Sequence, residues 1–231
     1  DFSTVVIEDY PIDIACDVFT RINTGGTELT LFEIMVAKTF DNARGFDLAE
    51  KYQNLIDSNG NDKDLEDANF DTLPSATVLQ CVSACMVGQI RRKDILKISK
   101  DDFINLWDQV VDSLFTAVDF VRTYLRIPVS QLLPYNALLI SITYFFFKNG
   151  NKQPTDRQAK LISQYFWWAS LSARFSSGQE NKIAQDLERV DQILLGKRPS
   201  YRGEEVSLSM DNLRYKWFST GDAFCKAILC L

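Results

Sequence analysis

Apolar residues recur at helical spacing along most of the chain, and the recurrences break where capping and turn residues stand. Asp9 and Pro11 suit a helix start, and Ile12, Ala15, Cys16, Phe19 and Ile22 then share one face of a first helix. A T-x-x-E capping box, Thr30 with Glu33, predicts a second helix starting at Leu31, with Leu29 and Ile34 as its hydrophobic staple. Pro74 opens a helix carrying Val78, Cys81, Val82, Cys85 and Met86 that ends near Gly88. Ser99 with Asp102 starts a long one whose stripe is Phe103, Leu106, Trp107, Val110, Leu114, Ala117, Val121 and Leu125. Pro128 and Pro134 break the chain before residues 135–147, which are apolar nearly all round and read as the central helix of a bundle. Thr155 with Gln158 caps an aromatic helix through Trp168, and Ser177 with Glu180 caps another bearing Ile183, Ala184, Leu187, Val190 and Leu194.

Strand signals are scarce beside these. Only Val5-Val6-Ile7 qualifies, and one short strand cannot make a sheet by itself. The fold class expected is therefore mainly α, a multi-helix bundle with a small residual α/β portion at the N-terminus whose partner strands lie on other residues or another chain. The chain begins at Asp1 and closes on an apolar helical pattern, residues 224–231, with no stop signal. It is expected to be the middle of something larger.

Composition narrows the function more than the fold. Of 231 residues, 46% are hydrophobic and 24% charged, which is ordinary for a globular chain with a substantial core. The most apolar stretch, residues 135–147, is too short to span a bilayer and is interrupted by Asn136, Ser141 and Thr143, so no membrane partner is expected. A net charge of -6 argues against duplex DNA binding by electrostatics alone. Local basic groups exist at Arg91-Arg92-Lys93 and at Lys197-Arg198 with Arg202, and read as solvated or dipole-compensating charges. There is no histidine, which removes Ser-His-Asp and histidine-dependent nuclease chemistry from this chain.

Five cysteines, Cys16, Cys81, Cys85, Cys225 and Cys230, lack C-x-x-C spacing and histidine partners. They read as small buried hydrophobes in a reducing cytoplasm. The acidic residues 57–71 invite a calcium reading that fails on spacing, because the glycine and glutamate positions of an EF-hand loop are Asp62 and Ala68. A mobile surface loop is expected there, and residues 197–209 form the best linker candidate. The aromatic run Tyr165 to Trp168 fits core packing better than a base-stacking platform.

The most informative chemistry is the run Phe19-Thr20-Arg21-Ile22-Asn23-Thr24-Gly25-Gly26, closed by Leu29-Thr30, at a turn between two helices. Gly25 and Gly26 permit positive φ and leave backbone N–H groups open to an anion, and Arg21 offers a forked, permanently charged contact to phosphate. Spacing alone equally allows a plain helix corner in which Asn23 caps locally and Arg21 is solvated. Glu8 and Asp9, at the end of the strand signal, have the chemistry to hold magnesium, although helix capping explains Asp9 more simply.

This run resembles the F-x-R-I-N-x-G-G…L-[ST] signature of the DUF262 family, whose members include the first subunit or domain of GmrSD-type, modification-dependent restriction systems. Phe166-Trp167-Trp168 followed by Ser172-Ala173-Arg174-Phe175-Ser176-Ser177-Gly178 is similar to that family's aromatic helix and S-x-R-[YF]-S-S-G turn. The resemblance implies a ParB-like nucleotide-binding fold, with residues 1–45 as the C-terminal part of that domain and residues 46–231 as a helical domain. It implies nucleotide-binding roles for Arg21, Asn23, Thr24, Gly25 and Gly26, and an NTP with Mg2+ as cofactors of the full-length protein. The family's D-G-Q-Q-R motif, expected upstream of the loop, and its downstream H-H-x-F-P motif are both missing from this chain. The partners implied are accordingly the missing ParB-like segment, a nuclease domain or subunit, DNA, and a second copy in a homo-oligomer. The other reading that stands is a helical interaction or DNA-sensing module with no nucleotide site.

Overall fold

The computed structural model describes residues 29–60, 62–201, 206, 219 and 221–231. The expected strand at Val5–Ile7, the first helix and residues 23–28 of the glycine loop lie outside the described residues, as does most of the expected linker.

Nine helices order the described residues: α1 Leu31–Thr39, α2 Leu48–Ile56, α3 Ser75–Val87, α4 Arg92–Ile95, α5 Lys100–Thr123, α6 Asn136–Lys148, α7 Asp156–Leu171, α8 Gln179–Leu194 and α9 Ala223–Cys230. Short 3-10 turns lie at Ser130–Leu132 and Arg174–Ser176. The mainly helical expectation holds. Among the described residues the sole β feature is an isolated antiparallel bridge between Asp41 and Phe46.

Local chemistry starts these helices where the caps predict. Thr30 Oγ1 accepts from the Glu33 N–H at 3.2 Å while Glu33 Oε2 accepts from the Thr30 N–H at 2.7 Å, so α1 opens at Leu31. Ser99 caps α5 and Thr155 with Gln158 boxes α7 in the same manner. Gly88 ends α3 in the left-handed conformation, φ 67°, as a glycine stop requires.

Helix α6 is the axis of the bundle. Ten of its thirteen residues are buried, from Ala137 through Phe146, and it packs against α3, α5 and α8. The polar residues that interrupt it are matched by neighbours: Ser141 Oγ lies 3.0 Å from Tyr165 Oη of α7, and Thr143 Oγ1 lies 3.8 Å from Cys81 Sγ of α3. The α5 stripe is buried as predicted at Phe103, Trp107, Val110, Leu114, Ala117 and Val121, while Leu106 sits half-buried at its flank. Met35 of α1 belongs to the same core as these residues, and α9 packs on α7 and the Ser130–Leu132 turn. No helix among the described residues is long and apolar enough to cross a membrane.

Two local expectations are corrected. The described part of residues 57–71 is not a loose surface loop but is tied to the helices by side-chain and backbone hydrogen bonds, Leu65 N–H donating to Leu55 O and Glu66 N–H to Ile56 O. The Asp64 carboxylate, buried at 4% exposure, accepts from the Ser58 N–H and Oγ at 2.9 Å each and from the Asp67 N–H at 3.0 Å. Those contacts hold its carboxyl below the usual value, the Asp67 and Ser58 backbone bonds most of all. Leu65 and Phe70 then plug fully into the core. The second correction is at α8, whose N-cap is Gly178 in the left-handed conformation with no side-chain cap, and Ser177 is extended. The tight turn that buries Arg174 sets how the chain approaches α8, and this overrides the Ser177 cap.

Candidate functional site

The largest fully buried side chain among the described residues is an arginine, Arg174. It lies in the S-x-R-F-S-S-G segment, so the second signature can be built from its atoms upward. Helix α7 ends at Leu171, and Ala173 follows with φ 52° and ψ 30°, a left-handed backbone that costs a non-glycine residue about 1–2 kcal/mol. That turn sends the Arg174 side chain inward, between α7 and α8, and leaves Ser176 and Ser177 outside.

Inside, Arg174 Nε donates to Asp186 Oδ2 at 2.8 Å, and its Nη2 donates to Lys182 O and Gln185 Oε1 at 3.1 Å each. Lys182, Gln185, Asp186 and Arg189 recur at three- and four-residue spacing and so share one face of α8. Arg189 Nη1 donates to the second oxygen, Asp186 Oδ1, at 2.5 Å. Tyr165 Oη of α7 donates to Asp186 Oδ2 at 2.9 Å, leaving the Ser141 hydroxyl of α6 to donate to the tyrosine oxygen. The Trp168 ring covers the cluster, with the Arg174 and Arg189 guanidinium carbons 5.2 and 4.8 Å from its centroid.

The electrostatics follow from burial. Burial lifts the Asp186 carboxyl above its ordinary value, and the guanidiniums of Arg174 and Arg189 pull against that lift. Burial, joined by the nearby Asp186 charge, holds the Tyr165 hydroxyl well above its ordinary value, so it stays a proton donor. An arginine does not deprotonate, and the Asp186 carboxylate is engaged by three donors. The cluster therefore ties α6, α7, α8 and the Arg174–Ser176 turn together and offers no group suited to exchanging a proton with a substrate.

The other candidate groups divide between structural and solvated ones. Arg91 Nη2 donates to Asn181 Oδ1 at 2.6 Å, joining the start of α4 to α8, while Arg92, Lys93, Lys197 and Arg198 are exposed. Cys81, Cys85 and Cys225 are buried and Cys230 half-buried, all as free thiols, and burial pushes Cys81 up to about 12. No group of three or more His, Cys, Asp or Glu residues that could hold a metal ion occurs among the described residues. In the aromatic run, Tyr165 and Phe166 are buried and Trp167 and Trp168 half-buried against the core.

The residues expected to bind nucleotide, Arg21, Asn23, Thr24, Gly25 and Gly26, lie outside the described residues, and so does Cys16. Of the first signature only Leu29 and Thr30 are described, and Thr30 is the α1 cap. Sequence reasoning passed over Asp186, although a signal existed: it falls on the apolar stripe of α8 with Ile183, Leu187 and Val190. A carboxylate on a buried stripe demands a buried cation. Compared with known protein families, curated proteins and solved structures, the chain has no match.

Proposed function

We propose that this chain is the middle segment of a GmrSD-like bacterial defence protein, carrying the R-I-N-T-G-G loop of an NTP pocket on a helical scaffold. In this reading Arg21, Asn23, Thr24 and the amides of Gly25 and Gly26 face the nucleotide phosphates. The observation that carries it is the pair of signatures in family order, residues 19–30 and 166–178. The burial of Arg174 lends weight to the second one, because an arginine at that place is required by its partners and is not interchangeable with an ordinary surface residue. The Thr30–Glu33 box supports the first, since it fixes the downstream end of the loop at the start of α1.

In the full-length protein Arg21, Asn23, Thr24, Gly25 and Gly26 would bind and orient a nucleotide, whose magnesium would offset phosphate charge. The missing D-G-Q-Q-R segment and the lack of histidine place turnover beyond what residues 1–231 do alone. The chain by itself is expected to show no appreciable NTP or DNA turnover, measured by phosphate release and plasmid cleavage. Robust NTP hydrolysis that disappears in Arg21→Ala would overturn the reading. A scaffold or DNA-sensing module with no nucleotide site is the second reading, favoured by the purely structural role of the Arg174 cluster.

A further inference from the structure

Helix α8 ends in a Schellman motif, with the Gly196 N–H donating to Ile193 O at 2.8 Å and the Lys197 N–H to Gln192 O at 2.9 Å. The chain then turns back along α7 and α8. Its start is anchored by Gln158 Nε2 donating to Leu194 O at 2.9 Å and by Arg157 Nε donating to Gly196 O. Past Lys197 the attachment thins. No backbone-to-backbone hydrogen bond ties residues 198–201 to other described residues. Among the described residues, what holds them is the buried Pro199, the Arg189 Nε donation to Ser200 O at 3.2 Å, and the Tyr201 ring on Trp168, with centroids 4.3 Å apart.

Tyr201 is a flawed anchor. Its ring is well placed, between Trp168 and the Arg189 guanidinium, whose carbon lies 5.8 Å from the ring centroid. Its hydroxyl, however, is buried with no hydrogen-bond partner. A phenol in water regains its hydrogen bonds, so the closed position carries a penalty that release removes. Every helix beneath is secured by core packing, so release of this segment leaves the bundle intact.

We propose that residues 198–201 form a strap that detaches from α7 and α8 without global unfolding, with the unpaired Tyr201 hydroxyl as its built-in weak point. Release lifts the Tyr201 ring away from Trp168 and from the Arg189 guanidinium. The strap is thus a conformational device seated on Trp168 and Arg189, at the edge of the Arg174–Asp186 cluster.

Chymotrypsin tests this, because cleavage after residue 201 requires that ring to leave Trp168 and enter the protease. The 231-residue chain is treated with a low level of protease at urea concentrations below its unfolding transition, and the fragment ending at residue 201 is quantified by mass spectrometry. Cleavage there is expected to depend on urea far more weakly than global unfolding followed by circular dichroism, since little surface opens. Tyr201→Phe keeps the cleavage preference and removes the unpaired hydroxyl. It is expected to slow cleavage after residue 201 at least about fivefold, relative to the rates on the two urea-unfolded chains. Cleavage in step with global unfolding, or a phenylalanine variant cut as fast as the parent, overturns the proposal.

Discussion

Arg174→Met is expected to lower the unfolding free energy by about 3–5 kcal/mol, measured by urea denaturation followed by circular dichroism. The arginine side chain is wholly buried, and so is Asp186, with which it forms an ion pair at 2.8 Å. Deleting one partner leaves a buried carboxylate short of a counter-charge, and it also strips the acceptors Lys182 O and Gln185 Oε1 of their donor. Measured stabilities of single domains are about 5–15 kcal/mol, so the loss is a large share of the total. The double variant Arg174→Met with Asp186→Leu is expected to recover part of that loss, because a well-packed apolar pair avoids the desolvation cost. Arg189 can follow solvent once its acceptor is gone, being only partly buried in its side chain. The two single effects should therefore fail to add by about 1–3 kcal/mol. A single variant within about 0.5 kcal/mol of the parent, the range of an ordinary surface change, would remove the structural role assigned to the second signature.

Phe146→Ala should cost about 3–5 kcal/mol in the same experiment. Phe146 is 1% exposed on the central helix, with the Phe120 ring of α5 at 5.6 Å and the Phe145 ring at 5.3 Å between centroids. Removing it opens a cavity between α5 and α6 that rigid helices close only in part. Phe40, half exposed just after α1, provides the contrast: Phe40→Ala is expected to change stability by no more than about 0.5 kcal/mol. Equal losses at the two positions would mean that α6 is not the centre of the core.

Helix starts and stops were legible because they are decided within four residues. Thr30 with Glu33, Ser99 with Asp102 and Thr155 with Gln158 make their bonds locally, and Gly88 needs only its own freedom of φ. The position of α6 was legible too, since a helix apolar on every side has no face to give to water. Residues 57–71 were misjudged for the opposite reason. Counting their acids hid Leu65 and Phe70, whose burial is settled by tertiary contact, while the Asp64 carboxylate is spent locally on Ser58 and Asp67 in a pattern that matches no cap. The start of α8 moved to Gln179 because burying Arg174 outweighs a serine cap worth about 1 kcal/mol.

The second signature shows the limit of motif reading. Its letters mark a family resemblance and say nothing of what the arginine touches. In space, Arg174 spends its Nε on Asp186 and its Nη2 on Lys182 and Gln185, while Trp168 roofs the cluster. The helix face that completes the cluster, with Asp186 and Arg189, carries no motif at all. In the proposed reading, chemistry directed at phosphate belongs to the first signature, where Arg21, Asn23 and two glycines have the right character.

Calorimetric titration of a non-hydrolysable NTP into the full-length protein and its Asn23→Ala variant tests the central claim most directly. The loop reading predicts at least about tenfold weaker binding for the variant, the scale of one hydrogen bond to a charged phosphate, with an unchanged circular dichroism spectrum and unfolding midpoint. Equal nucleotide affinity in the two proteins would contradict it and leave the helical scaffold as the function of this chain.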